Sequence, residues 1–189
     1  MGTKQRALEA KRWRSKQKGK EEASHTSMKG RRQIMVMVDI TEKREVFREA
    51  TATGTIKLKN ETVHLIKNGK IAKGDPLYTA KIAGILAAKE TSTLIPLCHP
   101  LPITNVEIDI KVLDESSVQV TSTVKTKAQT GVEMEALTAT AISLLTIWDM
   151  VKQYEKDAEG QYPTTAIQNI HIIKKIKEGS SGEREHKKT

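Results

Sequence analysis

Asp149 and Lys152 stand three residues apart in IWDMVKQ. On a helix that spacing puts both on one face, within reach of an ion pair. As a solvated pair they would contribute only about 0.2–0.5 kcal/mol. Ile147, Trp148, Met150 and Val151 surround Asp149 with apolar groups, however. Partial desolvation there would couple and shift the two pKa values, an arrangement suited to proton transfer. Lys73 lies in KIAKGDP, two residues before Asp75. A lysine and a glycine at a helix N-terminus suit an anion, with backbone N–H groups and the helix dipole assisting. Taken alone, the same lysine reads better as a surface residue in a turn. The GxxxxGK[ST] phosphate loop is absent.

The segment LIPLCHPLPITN is the other candidate. Pro96, Pro100 and Pro102 are three of the chain's five prolines, and they frame its single cysteine, Cys98, and His99. Each proline fixes φ near about −65° and restricts its predecessor, so Cys98-His99-Pro100 is held at low entropic cost. His99 reads as a binding or acid–base group, against the alternative of a satisfied structural histidine. Cys98 reads as a small buried hydrophobe. Adjacent side chains make a poor metal pair, and no CxxC or HxxxH follows, so no metal site is expected. In GVEMEAL, Glu133 and Glu135 fall in the first turn of a helix, where the dipole favours carboxylates. Two apart, they project about 200° from one another and form no paired-carboxylate site. Glu135 and Asp149 are separated by fourteen residues, about 21 Å along a straight helix. A pocket using both is therefore expected to be shared across a subunit interface.

The elements that must position these groups follow from periodicity. TATGTIKLK (51–59) alternates as a strand, and ETVHLIKNG (61–69) is a short helix stopped at Asn68-Gly69. Asp75 and Pro76 fit the N-cap and first position of a second helix, PLYTAKIAGILAAKE, whose small residues imply close packing. NVEIDIKVLD (105–114) and SVQVTSTVKTK (117–127) form a hairpin, residues 131–158 one long helix, and TAIQNIHIIKKIKE (165–178) a last strand. This order predicts an α+β, ferredoxin-like fold with a four-stranded antiparallel sheet backed by helices. The sheet's second face is expected to be buried by oligomerisation.

The chain has 189 residues and a formal charge of +9. That charge is not on the folded part. Residues 1–33 carry eleven Lys/Arg against three Glu, 179–189 add a net +1, and 34–178 are balanced at eighteen of each sign. Segment 1–33 reads as a basic, disordered extension, 34–178 as the folded domain and 179–189 as a polar tail. One cysteine suits a reducing cytoplasm. No apolar run approaching a membrane span and no secretory signal are read from the sequence.

MVDITEK, KGDPLYTAKIAGILAAKET, LIPLCHPLPI, TGVEMEALTA and IWDMVK resemble, in sequence and in spacing, the cyclic pyranopterin monophosphate synthase family (MoaC) of molybdenum cofactor biosynthesis. The resemblance runs from about Met37 to Lys152 and more loosely to about residue 178. It implies a lyase that converts 3′,8-cyclo-7,8-dihydroguanosine 5′-triphosphate to cyclic pyranopterin monophosphate and releases pyrophosphate. It also implies a ferredoxin-like subunit in a cytoplasmic homohexamer, a trimer of dimers. The family's acid–base aspartate matches Asp149 and its essential lysines Lys73 and Lys152. Its substrate-contacting segments match Leu97-Cys98-His99 and Met134-Glu135, and a further basic position matches Arg48. No cofactor is required, although Mg²⁺ could accompany the triphosphate. Bacterial members commonly end in a Gly/Ser/Lys-rich tail, where this chain has YPTTAIQNIHIIKKIKEG, so a phosphate contact from that tail does not carry over. The sheet fold is also that of RNA-recognition modules. Those need aromatic platforms, and the hairpin strands carry none, which argues against a nucleic-acid partner. A scaffold that recruits partners through its basic tail would leave Lys73, His99 and Asp149 unexplained.

Overall fold

A computed structural model describes residues 35–178. The basic extension and the polar tail expected at the termini lie outside the described residues. The elements are β1 (Val46–Lys57), α1 (Asn60–Lys67), α2 (Pro76–Lys89), α3 (Thr91–Leu94), β2 (Ile103–Val112), β3 (Ser117–Ala128), α4 (Glu133–Glu155) and β4 (Ala166–Lys177). The four strands form one antiparallel sheet in the order β2-β3-β1-β4. This is the ferredoxin-like α+β arrangement the sequence predicts.

Period-two patterning decides the faces of the sheet. Ala50, Ala52 and Ile56 of β1 and Val118, Val120 and Val124 of β3 are buried beneath Ala136, Ala139, Leu144, Ile147 and Val151 of α4. Helix α2 packs against α4 through Ala80 and Gly84. A side chain at Gly84 would overlap Ser143 Oγ and Ile108 Cδ1, so the helices approach only because that position has no Cβ. Ser143 Oγ donates to Ala80 O at 2.9 Å and locks the crossing.

The opposite face carries several polar side chains. Thr51 and Thr123 pair through their hydroxyls at 3.0 Å, and Thr53 Oγ1 donates to Val120 O at 3.0 Å. Glu49 sits between Lys174 at 3.0 Å and Lys125 at 3.6 Å. Hydrogen bonds and ion pairs satisfy these polar groups within the chain, while Phe47 and Ile176, in register with Glu49 on this face, are exposed. On α2, exposed Tyr78, Ile82 and Leu86 form an apolar stripe at intervals of four.

Two differences from the sequence reading stand out, one boundary and one missed element. Strand β1 begins at Val46, five residues before the predicted start, because Arg48 and Glu49 mask its alternation while making tertiary bonds. The four-residue α3 is too short to carry a period. By length and composition alone α4 could cross a membrane, with 23 residues and a mean hydropathy of 1.3 over an 18-residue window, contrary to the sequence reading. Here it is the central core helix, packed on the sheet and on α2.

Candidate active site

The two ends of α4 carry two different groups of residues. At the C-terminal end, Asp149 Oδ1 accepts from Lys152 Nζ at 2.7 Å. Its Oδ2 accepts from Lys73 Nζ at 2.9 Å, and Lys73 also donates to the Asp149 carbonyl at 2.9 Å. Lys152 reaches Asp149 along one helix face, as its spacing requires. Lys73 comes from the α1–α2 loop, where Gly74 N–H closes a turn on Ile71 O at 3.0 Å. The turn needs the left-handed backbone of Gly74, with φ +98°.

Lys73 does not build an anion site with the start of α2. Asp75 already accepts from Leu77 N at 2.9 Å and Tyr78 N at 3.0 Å, which occupies the N–H groups that would have faced an anion. Nor is Asp149 desolvated by its apolar neighbours. Ile147, Met150 and Val151 turn into the core, while the Asp149 side chain stays 56% exposed in the single chain. The hydrogen bond from Lys152 and then that from Lys73 hold its carboxyl down at about 2. Asp149 in turn raises the ammonium of Lys152. Leu145, Trp148 and Ile167 complete a concavity of about 420 Å³ beside the pair.

At the N-terminal end, Leu97, Cys98 and His99 converge with Met134 and Glu135 on a concavity of about 240 Å³. The proline-framed loop is pinned by Cys98 N–H on Ile95 O at 3.0 Å and by Thr126 Oγ1 on Pro102 O at 2.7 Å. His99 Nε2–H donates to Val38 O at 2.8 Å, which draws the segment before β1 over the pocket. Glu135 is 4% exposed, and its Oε2 has no hydrogen-bond partner among the described residues. Burial raises its carboxyl above the ordinary range, and burial also raises the neighbouring Cys98 thiol, with the charge of Glu135 adding to it. A buried, unpartnered acceptor lining a pocket is costly unless a ligand donates to it.

Glu133 pairs with Lys175 of β4 and so ties the first turn of α4 to the sheet. Arg48 lines neither concavity. Its Nε and Nη2 donate to Ala128 O at 3.0 Å and Gln129 O at 2.9 Å, holding the loop whose Thr130 and Gly131 line the pocket. Lys43 also lines this pocket and escaped the reading of the sequence. It stands outside regular structure, where no spacing singles it out. A larger concavity, about 510 Å³, runs along α1 past His64 and Glu61 and contains none of the candidate groups. Size alone does not mark the chemistry. Among the described residues no three His, Cys, Asp or Glu side chains are grouped to hold a metal ion.

Residues 37–178 match the model of the MoaC family. The chain is 59% identical over 142 residues to a protein of Saccharolobus solfataricus named "Probable cyclic pyranopterin monophosphate synthase", covering 75% of this chain and 95% of that one. Proteins with the same name are 54% identical over 158 residues in Pyrococcus horikoshii and 54% over 142 residues in Methanococcoides burtonii. Those alignments cover 84% and 75% of this chain and 96% and 89% of the relatives.

Proposed function

The chain belongs to the MoaC family, and from that membership and the groups at the two ends of α4 we infer that it acts as a cyclic pyranopterin monophosphate synthase. The reaction is conversion of 3′,8-cyclo-7,8-dihydroguanosine 5′-triphosphate to cyclic pyranopterin monophosphate and pyrophosphate, in molybdenum cofactor biosynthesis. One observation carries the chemical reading: the Asp149 carboxylate is clasped by Lys73 and Lys152 at hydrogen-bond distance.

Rebuilding a purine nucleotide into a pterin requires several proton transfers in one enclosed site. Asp149 serves as base and then acid. At about 2 its carboxyl is a weak base, and both lysines keep it so. A bound triphosphate draws cationic side chains toward itself and excludes water, and both effects raise the basicity of Asp149 as substrate settles. Lys152 and Lys73 then return protons and stabilise developing negative charge. Leu97, Cys98, His99, Met134 and Glu135 hold the polar framework of the substrate. No resident metal is needed in this reading, and Mg²⁺ would enter with the triphosphate.

The two groups lie at opposite ends of one helix, so a single pocket takes one group from each of two subunits. A homohexamer built as three dimers satisfies that requirement, and exposed Leu97, Met134 and Leu145 beside the two groups supply apolar surface to cover. The cytoplasm suits such an enzyme with its one thiol.

Turnover of the cyclised guanosine triphosphate by the full chain and by Asp149→Asn, reading pyrophosphate and pterin fluorescence together, tests the assignment. The wild type is expected to release both, while the variant binds substrate and releases neither. A folded wild type that binds the substrate without releasing pyrophosphate would overturn the reading.

A further inference from the structure

Lys73 does not stand near Asp149 by spacing, since 76 residues separate them, so something must set that distance. In the α1–α2 loop, Ile71 is fixed by burial, at 5% exposed. The next three residues, Ala72 to Gly74, are exposed. Beyond the turn bond to Ile71 O and the bonds of Lys73 itself, one hydrogen bond among the described residues ties them to the rest of the domain. Ala72 N–H donates to Tyr154 Oη at 2.9 Å.

Tyr154 lies five residues after Asp149 on α4, and its ring packs against the core. Its surroundings are firm. Glu155, the next residue, is fully buried and accepts from Thr165 Oγ1 at 2.5 Å and from Lys59 N–H at 3.2 Å. Lys59 Nζ donates to the carbonyls of Tyr154 at 3.2 Å and Lys156 at 2.8 Å. The phenol therefore projects from an anchored helix end and carries the register of α4 to the residue just before Lys73. We propose that Tyr154 is a positioning residue for the reaction: its hydroxyl, by accepting the Ala72 N–H, holds the Lys73 turn so that Nζ rests on Asp149. The proposal rests on the assignment of Asp149 and Lys73 as acid–base partners, but the contact it describes can be tested without turnover.

Tyr154→Phe keeps the ring and removes only the acceptor, and a melting curve close to that of the wild type checks that the fold survives. Asp149 faces Lys73 from the loop and Lys152 from its own helix, with Tyr162 close to Lys152. Its carboxyl titration, followed by carbon-13 NMR in the full chain, therefore reports whether Lys73 is in place. The measurement is made in wild type, Tyr154→Phe, Lys73→Met and the double variant. The expected result is an upward move of the Asp149 titration in Tyr154→Phe and no further move when that change is added to Lys73→Met. In turnover, Tyr154→Phe should lower kcat on the order of tenfold to a hundredfold, as small displacements of catalytic groups do, with KM nearly unchanged. An Asp149 titration unmoved by Tyr154→Phe overturns the proposal. A move of equal size in the Lys73→Met background overturns it as well, because the hydroxyl would then act without Lys73. An inactive wild type with the expected titrations would instead count against the assigned reaction and leave the positioning contact standing.

Discussion

Lys73 Nζ lies 2.9 Å from Asp149 Oδ2, joining a loop between two helices to the end of a third. With Lys152 at 2.7 Å from the other oxygen, the carboxylate has a cationic side chain on each side. Each lysine is therefore expected to matter through Asp149 as well as through substrate. Lys73→Ala and Lys152→Ala should each lower kcat by about 10²–10⁴, the range of general acid–base contributions. Single-turnover pterin formation, with binding measured separately, checks this.

The pH dependence has a definite sign. The folded carboxyl of Asp149, at about 2, lies below its ordinary 3.8. Its contribution to stability is therefore fully present above 3.8 and is lost as pH falls through about 2. In the free enzyme Asp149 should give no inflection in kcat/KM between about pH 5 and 8. Because the Lys152 bond is the larger cause, Lys152→Ala should raise the Asp149 titration further than Lys73→Ala does. NMR titration of the three proteins decides it.

Glu135 has the opposite sign. Burial raises its carboxyl above 4.5, so its ionisation weakens the fold as pH rises from 4.5 through the folded value. Glu135→Gln should gain stability relative to wild type as pH rises toward neutrality and lose that advantage below pH 4.5. The same substitution should weaken substrate binding, since a buried oxygen lining the pocket no longer carries charge. Thermal melts at acid and neutral pH, alongside substrate titration, separate the two effects.

A shared pocket makes a strong demand on mixtures. His99→Ala disables one end of α4 and Asp149→Asn the other. When equal amounts are unfolded and refolded together, about a quarter of sites built from two subunits contain both intact groups. Activity should return to roughly that fraction of wild type, although each variant alone is nearly inactive. No recovery in properly assembled mixed oligomers would place both groups' work within one subunit.

Packing predictions concern Gly84 and Arg48. Gly84→Ala drives a methyl into Ser143 and Ile108 where α2 crosses α4, and should cost about 1–3 kcal/mol, read as a lowered denaturation midpoint. Arg48→Met removes two charge-assisted bonds to Ala128 O and Gln129 O. It should loosen the loop before α4 and raise KM more than it lowers kcat, because Arg48 touches the pocket only through its backbone.

Much of this was legible in the chain. Binary patterning with Asp75, Pro76 and Gly69 as punctuation placed seven of the eight elements, because a strand's period of two and a helix's period of 3.6 are local properties. The Asp149–Lys152 pair was legible for the same reason, since three residues on a helix fix a distance. The prolines around His99 likewise announced a rigid loop. What the sequence could not contain was any relation between distant segments. Lys73 looked like an anion ligand at a helix start, but Asp75 had taken those N–H groups, leaving its ammonium to reach Asp149 across the domain. Flanking apolar residues suggested a desolvated Asp149, yet helical geometry sends Ile147 and Val151 inward and Asp149 outward. Glu135 stood in a first turn where the dipole favours carboxylates, and only packing made it a buried acceptor without a partner among the described residues. The sequence by itself determined the elements, the family and which residue types are available for chemistry. The tertiary structure alone decided which of them meet and in what charge state, because proximity and desolvation arise only when separate elements pack.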